Sequence, residues 1–305
     1  MRCSVPAARP ASSGYASCHG SFGELLQGAL PDLGPFLVTL PIELHARAHF
    51  VARDSSRELR VHPESSWKSR RLAEALLRRH ELPLRGELML DSEIPRGKGL
   101  ASSTADLVAT YRAVASCHDL PHDMDVLAEL LRDIEPSDGV MHEGVVVYRH
   151  RSARLLERLG PVPPFTLIAI DEGGEVETLA HNDRDPDYSS RELDEFADLL
   201  MRLRHAFDRV DVAAIGAVAT RSAEINQRVL PKQWLSSMID VAAAVDAVGV
   251  VAAHSGTCLA LLIDARRAGH DDDARSASER LVALGLQPMI LRTFRTHVLP
   301  APAHA

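Results

Sequence analysis

The segment Ile94-Pro95-Arg96-Gly97-Lys98-Gly99-Leu100-Ala101-Ser102-Ser103-Thr104-Ala105 gathers the groups best suited to hold an anion. Glycines let the backbone approach a ligand closely. The segment follows an expected strand at 86–92 and precedes an Ala- and Val-rich run, 103–117, that reads as a buried helix. The start of a helix offers unpaired N–H groups and the positive end of its dipole. Ser102 and Ser103 add hydroxyl donors or a magnesium ligand, and Lys98 adds a positive charge. Together these groups could hold a triphosphate. A glycine turn with a serine helix cap would use the same residues. The string is not a GxxxxGK[ST] loop, and it lacks the third glycine of a dinucleotide fingerprint.

A second group of chemically able residues is Asp133-Ile134-Glu135-Pro136-Ser137-Asp138-Gly139. Magnesium bound to a nucleotide needs hard oxygen ligands, usually one or two from the protein. Glu135 and Asp138 stand three apart around a proline, so a tight turn can aim both into one cleft. An acidic helix end followed by a turn is the alternative. Glu24 and Gln27 are polar residues within an apolar, glycine-bounded stretch. They could bind the amino or hydroxyl groups of a small substrate, or lie on an exposed β-turn. His254-Ser255-Gly256-Thr257 could receive a carboxylate or close over phosphates. Other ligand-like groups read as ordinary structure. Cys117-His118 with His122 and Asp123 is broken by Pro121, His142-Glu143 has no second histidine at zincin spacing, and Asp271–Asp273 suits a helix start.

The elements that must position these groups read as an α+β chain. Strands are expected at 36–40, 43–51, 86–92, 144–148 and 165–171, in the run VGVVAA, and in a last strand PMILRTF. Helices are expected at 67–80, at 103–117, at 123–134 with Asp123 as N-cap, in three runs across 190–247, and at 274–284. Residues 1–13 read as a frayed leader. Pro161–Pro164 divides an N-terminal domain, 14–160, from a C-terminal domain, 161–305. The polar stretch 171–187 is a lid candidate. The 305 residues are 46% hydrophobic and 25% charged, ordinary for a globular chain. The 34 basic and 42 acidic side chains leave a formal charge of −8, which argues against nucleic acid as partner. No apolar stretch is long enough for a membrane span, and four scattered cysteines suggest no oxidising compartment, so the cytoplasm is the expected location.

Pro-x-x-x-Gly-Leu-x-Ser-Ser-x-Ala, from Pro95 to Ala105, resembles the ATP-binding signature of the GHMP kinases. That superfamily includes galactokinase, homoserine kinase and mevalonate kinase. Gly20-Ser21-Phe22-Gly23-Glu24-Leu25-Leu26-Gln27-Gly28 resembles its N-terminal motif, and His254-Ser255-Gly256-Thr257-Cys258 its C-terminal glycine motif, in the same order. Finer details, among them Lys98, Ala101, Thr104 and Asp106, resemble the branch of L-threonine kinases of cobalamin synthesis. The run Ala16-Ser17-Cys18-His19-Gly20-Ser21-Phe22 departs from that branch's usual Cys-Pro-Ala-Ser-Cys-like start.

The resemblance implies a two-domain fold, with a ribosomal protein S5 domain 2-like N-terminal half, a ferredoxin-like C-terminal half and the active site between them. It implies ATP on Pro95, Gly97, Lys98, Gly99, Leu100, Ala101, Ser102, Ser103 and Thr104, and Mg2+ on Ser103 and Glu135. Asp138 and Lys98 become the catalytic groups, with Asp138 a general base or an orienting charge. Ser21, Glu24, Gln27, His254, Ser255 and Gly256 become the residues around a small substrate. The implied reaction phosphorylates the side-chain hydroxyl of L-threonine. Another small alcohol such as homoserine or serine is the near rival, and a catalytically idle relative acting as a binding module is the distant one. The assembly is open, a homodimer included.

Overall fold

The computed structural model describes residues 12–53, 56–174 and 187–294. Ten strands form one mixed sheet: β1 (Ser13–Leu30), β2 (Gly34–Val51), β3 (Leu59–His62), β4 (Gly86–Ser92), β5 (Val145–Arg149), β6 (Arg154–Gly160), β7 (Phe165–Asp171), β8 (Gly249–Ala252), β9 (Cys258–Asp264) and β10 (Met289–Arg292). The main path runs β10-β7-β9-β8-β1-β2-β4-β3, and the β5–β6 hairpin branches from β2. Only β3 and β4 pair in parallel; the other pairs are antiparallel. Seven helices are described: α1 (Trp67–Arg79), α2 (Ser102–Cys117), α3 (Met124–Arg132), α4 (Ser190–Asp208), α5 (Val212–Asn226), α6 (Leu235–Ala244) and α7 (His270–Ala283). The architecture is α+β, as the mixed order of strand and helix patterns predicts.

Strand β1 is the spine of the molecule and the largest departure from expectation. Residues 1–11 of the anticipated leader lie outside the described residues, while Ser13 already opens β1. The strand has no period-two signal because it is buried on both faces from Cys18 to Ala29. Helix α2 covers its first part, where the Gly14 backbone lies against Ala113 and Cys117. Helices α4 and α5 cover its end, where Gly28 lies under the Phe196 ring and Gln27 meets Ser222. The expected strands at 36–40 and 43–51 are one strand, β2. Pro41 does not interrupt it, because its register partner Ser21 sits at a shift in β1 that leaves the missing N–H unneeded. Strand β6 escapes a sequence reading because Arg-Leu-Leu-Glu-Arg-Leu looks helical.

Two apolar clusters hold the layers together. One runs through β1, β2, α1, α2 and α4 and includes Phe22, Phe36, Phe50 and Tyr111. The other packs α6 and α7 on the far side of β7, β8 and β9, through Leu235, Met238, Ile168, Ile170 and Leu261. Helices α3 and α4 have N-caps legible in the sequence. The Asp123 carboxylate accepts from the N–H groups of Asp125 and Val126, and Ser189 with Glu192 forms a capping box. Most of the expected lid, 175–186, lies outside the described residues. No helix among the described residues is long and apolar enough to cross a membrane.

Helix α5 presses directly onto β8, the strand that leads into the 254–257 segment. A Cβ on Gly216 would stand 2.1 Å from the Val248 carbonyl oxygen. Gly216→Ala is therefore expected to cost about 1–3 kcal/mol by overpacking. Chemical denaturation checks it, and an unchanged midpoint would show that the two elements are not locked together.

Candidate active site

Helix α2 begins without a side-chain cap. The residue before it is Ala101, in the left-handed region with φ of 60°, and no side chain bonds the first-turn N–H groups. A non-glycine residue there carries roughly 1–2 kcal/mol of strain. The serine-capped turn that the sequence allowed is thus absent, and the helix N-terminus is left available to an anion. Gly97, Gly99, Ser102, Ser103 and Thr104 line a cleft with Glu135, Asp138 and Ser255. Leu100 and Ala101 are buried behind it and contribute backbone, and Pro95 is exposed at the loop's start. The Leu100 carbonyl accepts from Ser21 N at 3.2 Å, tying the loop to β1.

The 254–257 segment closes against this loop because neither side has a side chain at the contact. A Cβ on Gly256 would lie 2.0 Å from the Lys98 carbonyl oxygen, and one on Gly99 would lie 2.7 Å from Ala253 Cβ. Behind the contact, the buried ammonium of Lys232 donates to the Gly256 carbonyl. Burial lowers the Lys232 pKa.

Ser103 and Glu135, read from the sequence as metal ligands, are brought together. The Ser103 hydroxyl donates to Glu135 Oε1. Lys68 completes the group, with Nζ 2.5 Å from Glu135 Oε2 and 3.3 Å from Ser103 Oγ. These are hard oxygen donors on a buried carboxylate and an adjacent hydroxyl, and they fit a magnesium ion that takes its remaining ligands from phosphates and water. Lys68 is not legible as a site residue in the sequence, because it lies 35 residues from Ser103 with no shared motif. Its one signal is a lysine in the first turn of a helix with no acidic residue there, a position the helix dipole disfavours.

Asp138 lies beside this group. Thr104 Oγ1 accepts from Asp138 N at 3.2 Å and donates to Asp138 Oδ2 at 3.3 Å. Burial, and after it the Glu135 charge, raises the Asp138 carboxyl from 3.8 to about 6. Glu24 lies where β1 shifts register on both sides of it. It is buried in the sheet, not exposed on a turn, and its Oε2 has no hydrogen-bond partner among the described residues. Burial and the Asp138 charge push its pKa well above the carboxylate range. The hydroxyls of Ser21 and Thr39 are likewise buried without partners. Gln27 faces the C-terminal segment, and its Oε1 accepts from His254 Nδ1 at 2.7 Å.

Lys98 departs from its expected place. Its ammonium is 2.7 Å from Asp171 Oδ2 and donates to the Gly174 carbonyl at 2.7 Å, away from Glu135 and Asp138. Asp171 also accepts from Thr257 Oγ1 and Gly173 N. Lys98 is therefore a tether between the loop and the C-terminal half. Next to the phosphate-type cleft is a cavity of about 250 Å³ lined by Ser65, Ser66, Trp67, Lys68, Arg96 and Ser103, among others. Trp67 is 52% exposed there, which gives the cavity a flat aromatic surface.

The family described as GHMP kinases N terminal domain matches residues 68–145. An L-threonine kinase of Citrobacter freundii is 31% identical over 272 residues, covering 85% of this chain and 88% of that protein. An L-threonine kinase of Salmonella typhimurium is 32% identical over 273 residues, covering 84% of each. Among solved structures, a homoserine kinase from Cytophaga hutchinsonii superposes with a TM-score of 0.73 over 96% of this chain and 98% of that one, at 12% identity. An L. major mevalonate kinase superposes with a TM-score of 0.67 over 95% and 97%, also at 12% identity.

The raised Asp138 pKa has a consequence for stability. Stability from this group is fully present below its unfolded pKa near 4 and is lost as pH rises through about 6. In magnesium-free buffer, Asp138→Asn should therefore gain on the unmutated protein between pH 4 and 7, by at most about 3 kcal/mol. Unfolding midpoints across that range test this; a difference independent of pH would refute it.

Proposed function

Because this chain belongs to the GHMP kinases, and so is a phosphotransferase, we propose that it transfers the γ-phosphoryl group of ATP to the side-chain hydroxyl of L-threonine, giving O-phospho-L-threonine. The observation that carries the reading is the uncapped start of α2 beside the Ser103–Glu135–Lys68 group. The N–H groups of the first turn receive phosphate oxygens, and the glycines at 97 and 99 let the backbone approach them. Ser103 and Glu135 would hold magnesium, which when bound neutralises charge on the polyphosphate. Lys68 supplies a second positive charge at the same point. The nucleoside half fits the neighbouring cavity, with the base on the exposed ring of Trp67.

On the acceptor side, Glu24 is a carboxylate withdrawn from water with one oxygen unsatisfied among the described residues. Such a group is costly unless a cation meets it. The ammonium of an amino acid is a cation of suitable size, and the His254–Ser255–Gly256 segment, steadied by Gln27, suits the substrate carboxylate. Asp138 orients the hydroxyl and takes its proton. A carboxyl held near 6 is ionised at neutral pH yet basic enough to accept a proton as the bond to phosphorus forms. Most of the catalysis is then positioning and charge neutralisation, as phosphoryl transfer requires. Lys98 acts through the Asp171 tether, as a positioning residue. The L-threonine kinases at 31–32% identity support this acceptor; the sequence resemblance to L-threonine kinases of cobalamin synthesis implies that the product would serve that synthesis.

Two measurements test the reading. Glu135→Gln, which keeps the shape of the side chain, should lower magnesium-dependent kcat by about 100-fold or more with the circular dichroism spectrum unchanged; near-normal turnover would remove Glu135 from the mechanism. Phosphorus NMR of products from a panel of threonine, serine and homoserine should show threonine preferred in kcat/KM. Homoserine turned over faster than threonine would sink the acceptor assignment.

A further inference from the structure

A cavity away from the catalytic cleft lies between α3 and the β5–β6 hairpin. It measures about 690 Å³ and shares no lining residue with the cleft that contains Glu135 and Asp138. Its chemistry is unlike the rest of this acidic chain. Arg132, Arg149, Arg154 and Arg158 line it, against the single carboxylate of Asp125. Arg132 comes from the last turn of α3 and the others from the hairpin. None of Arg132, Arg149 and Arg154 belongs to an ion pair among the described residues, whereas several other arginines on this surface do. Arg47, Arg53, Arg78, Arg79, Arg204, Arg221 and Arg228 all meet carboxylates. Arg158 spends one N–H on the Glu143 carbonyl at 3.3 Å.

His142 Nδ1 and Ser152 Oγ, on residues of the lining, are buried without a hydrogen-bond partner among the described residues. Burial and the neighbouring Arg158 and Arg112 charges hold His142 neutral, with a pKa of about 4. A neutral imidazole and a hydroxyl can each donate one hydrogen bond. Apolar side chains share the lining: Met124, Leu127 and Leu131 from α3, with Met141 and Leu155. Unpaired guanidinium groups are the side chains best shaped to clasp phosphate or carboxylate oxygens in pairs. The volume is that of a small-molecule site, too large for a bare oxyanion alone.

We propose that this cavity is a second binding site, separate from the kinase cleft, for an organic dianion with an apolar body: a phosphate monoester or a dicarboxylate. The arginines receive the charged head, and the methionine and leucine side chains receive the body. Two oxyanion charges offset the guanidinium repulsion that the protein leaves uncompensated. The site adjoins the catalytic turn, because Tyr148 lines the cavity and its hydroxyl lies 3.3 Å from Ser137 Oγ, between Glu135 and Asp138. The assignment does not depend on which alcohol the kinase phosphorylates.

Full-length protein is first saturated with magnesium and a non-hydrolysable ATP analogue, so that the phosphate loop is filled. It is then titrated calorimetrically with 1-naphthyl phosphate, naphthalene-1,4-dicarboxylate, inorganic pyrophosphate and neutral 1-naphthol. The expected result is saturable one-to-one binding of one or both naphthyl dianions, tighter than that of pyrophosphate or naphthol; the better of the two identifies the head group. The Arg149→Ala/Arg154→Ala protein should bind at least tenfold more weakly, since each lost charge-assisted bond is worth about that factor. Arg132→Glu, a reversal at an exposed helix end, should do the same from the other wall. Absence of saturable binding by both dianions would overturn the proposal. So would equal binding of naphthol, equal binding of pyrophosphate, or affinity indifferent to these arginines.

Discussion

The cleft is organised around a carboxylate taken out of water. The Glu135 side chain is 2% exposed, and a charge at that depth is tolerated only with close partners of the right kind. It has two: the Ser103 hydroxyl at the start of α2 and the Lys68 ammonium at the start of α1. Satisfying that one carboxylate brings three remote pieces of chain to a common point, the first turns of two helices and the turn after a third. Two helix N-termini converge there, and their dipoles add to the lysine in offsetting the negative charge of Glu135. The same arrangement that stabilises Glu135 leaves two positive helix ends and an ammonium facing one cleft.

Around that point the two halves of the chain are fastened by small residues and by one ion pair. Gly99 against Gly256 and Gly256 against Lys98 bring backbone to backbone, a contact that no larger side chain would permit. Lys98 then reaches across to Asp171, which Thr257 and Gly173 also hold. The Lys232 ammonium braces the Gly256 carbonyl from beneath. Burial depresses the ionisation of that lysine, so its hydrogen bond stands in for the solvation it has given up.

The sequence reveals the elements whose signals are local. The loop from Pro95 to Thr104, the helix after it, the Asp123 cap and the Glu135–Asp138 turn are each legible within a dozen residues, because glycine spacing, capping chemistry and a proline-bounded acidic turn act over that distance. The features that stay hidden are set by remote contacts. Strand β1 shows no alternation because helices cover both of its faces, and Glu24 looks like a surface acid until β2 and β8 enclose it. Lys68 is indistinguishable from other helix-surface lysines until Glu135 arrives from 67 residues away. Lys98 is the reverse case. Its position in a phosphate-binding string suggests a role that its partner Asp171, far along the chain, redirects.

The great sheet is stitched unevenly. Strands β1 and β2 pair over nearly their whole length, and β7 with β9 over seven positions, yet β1 meets β8 at one register position only, Glu24 opposite Ala252. A sheet yields where it has fewest rungs. That thinnest seam runs past Glu24, so the rung that closes the sheet is made by the backbone of the residue whose Oε2 lies buried without a hydrogen-bond partner among the described residues.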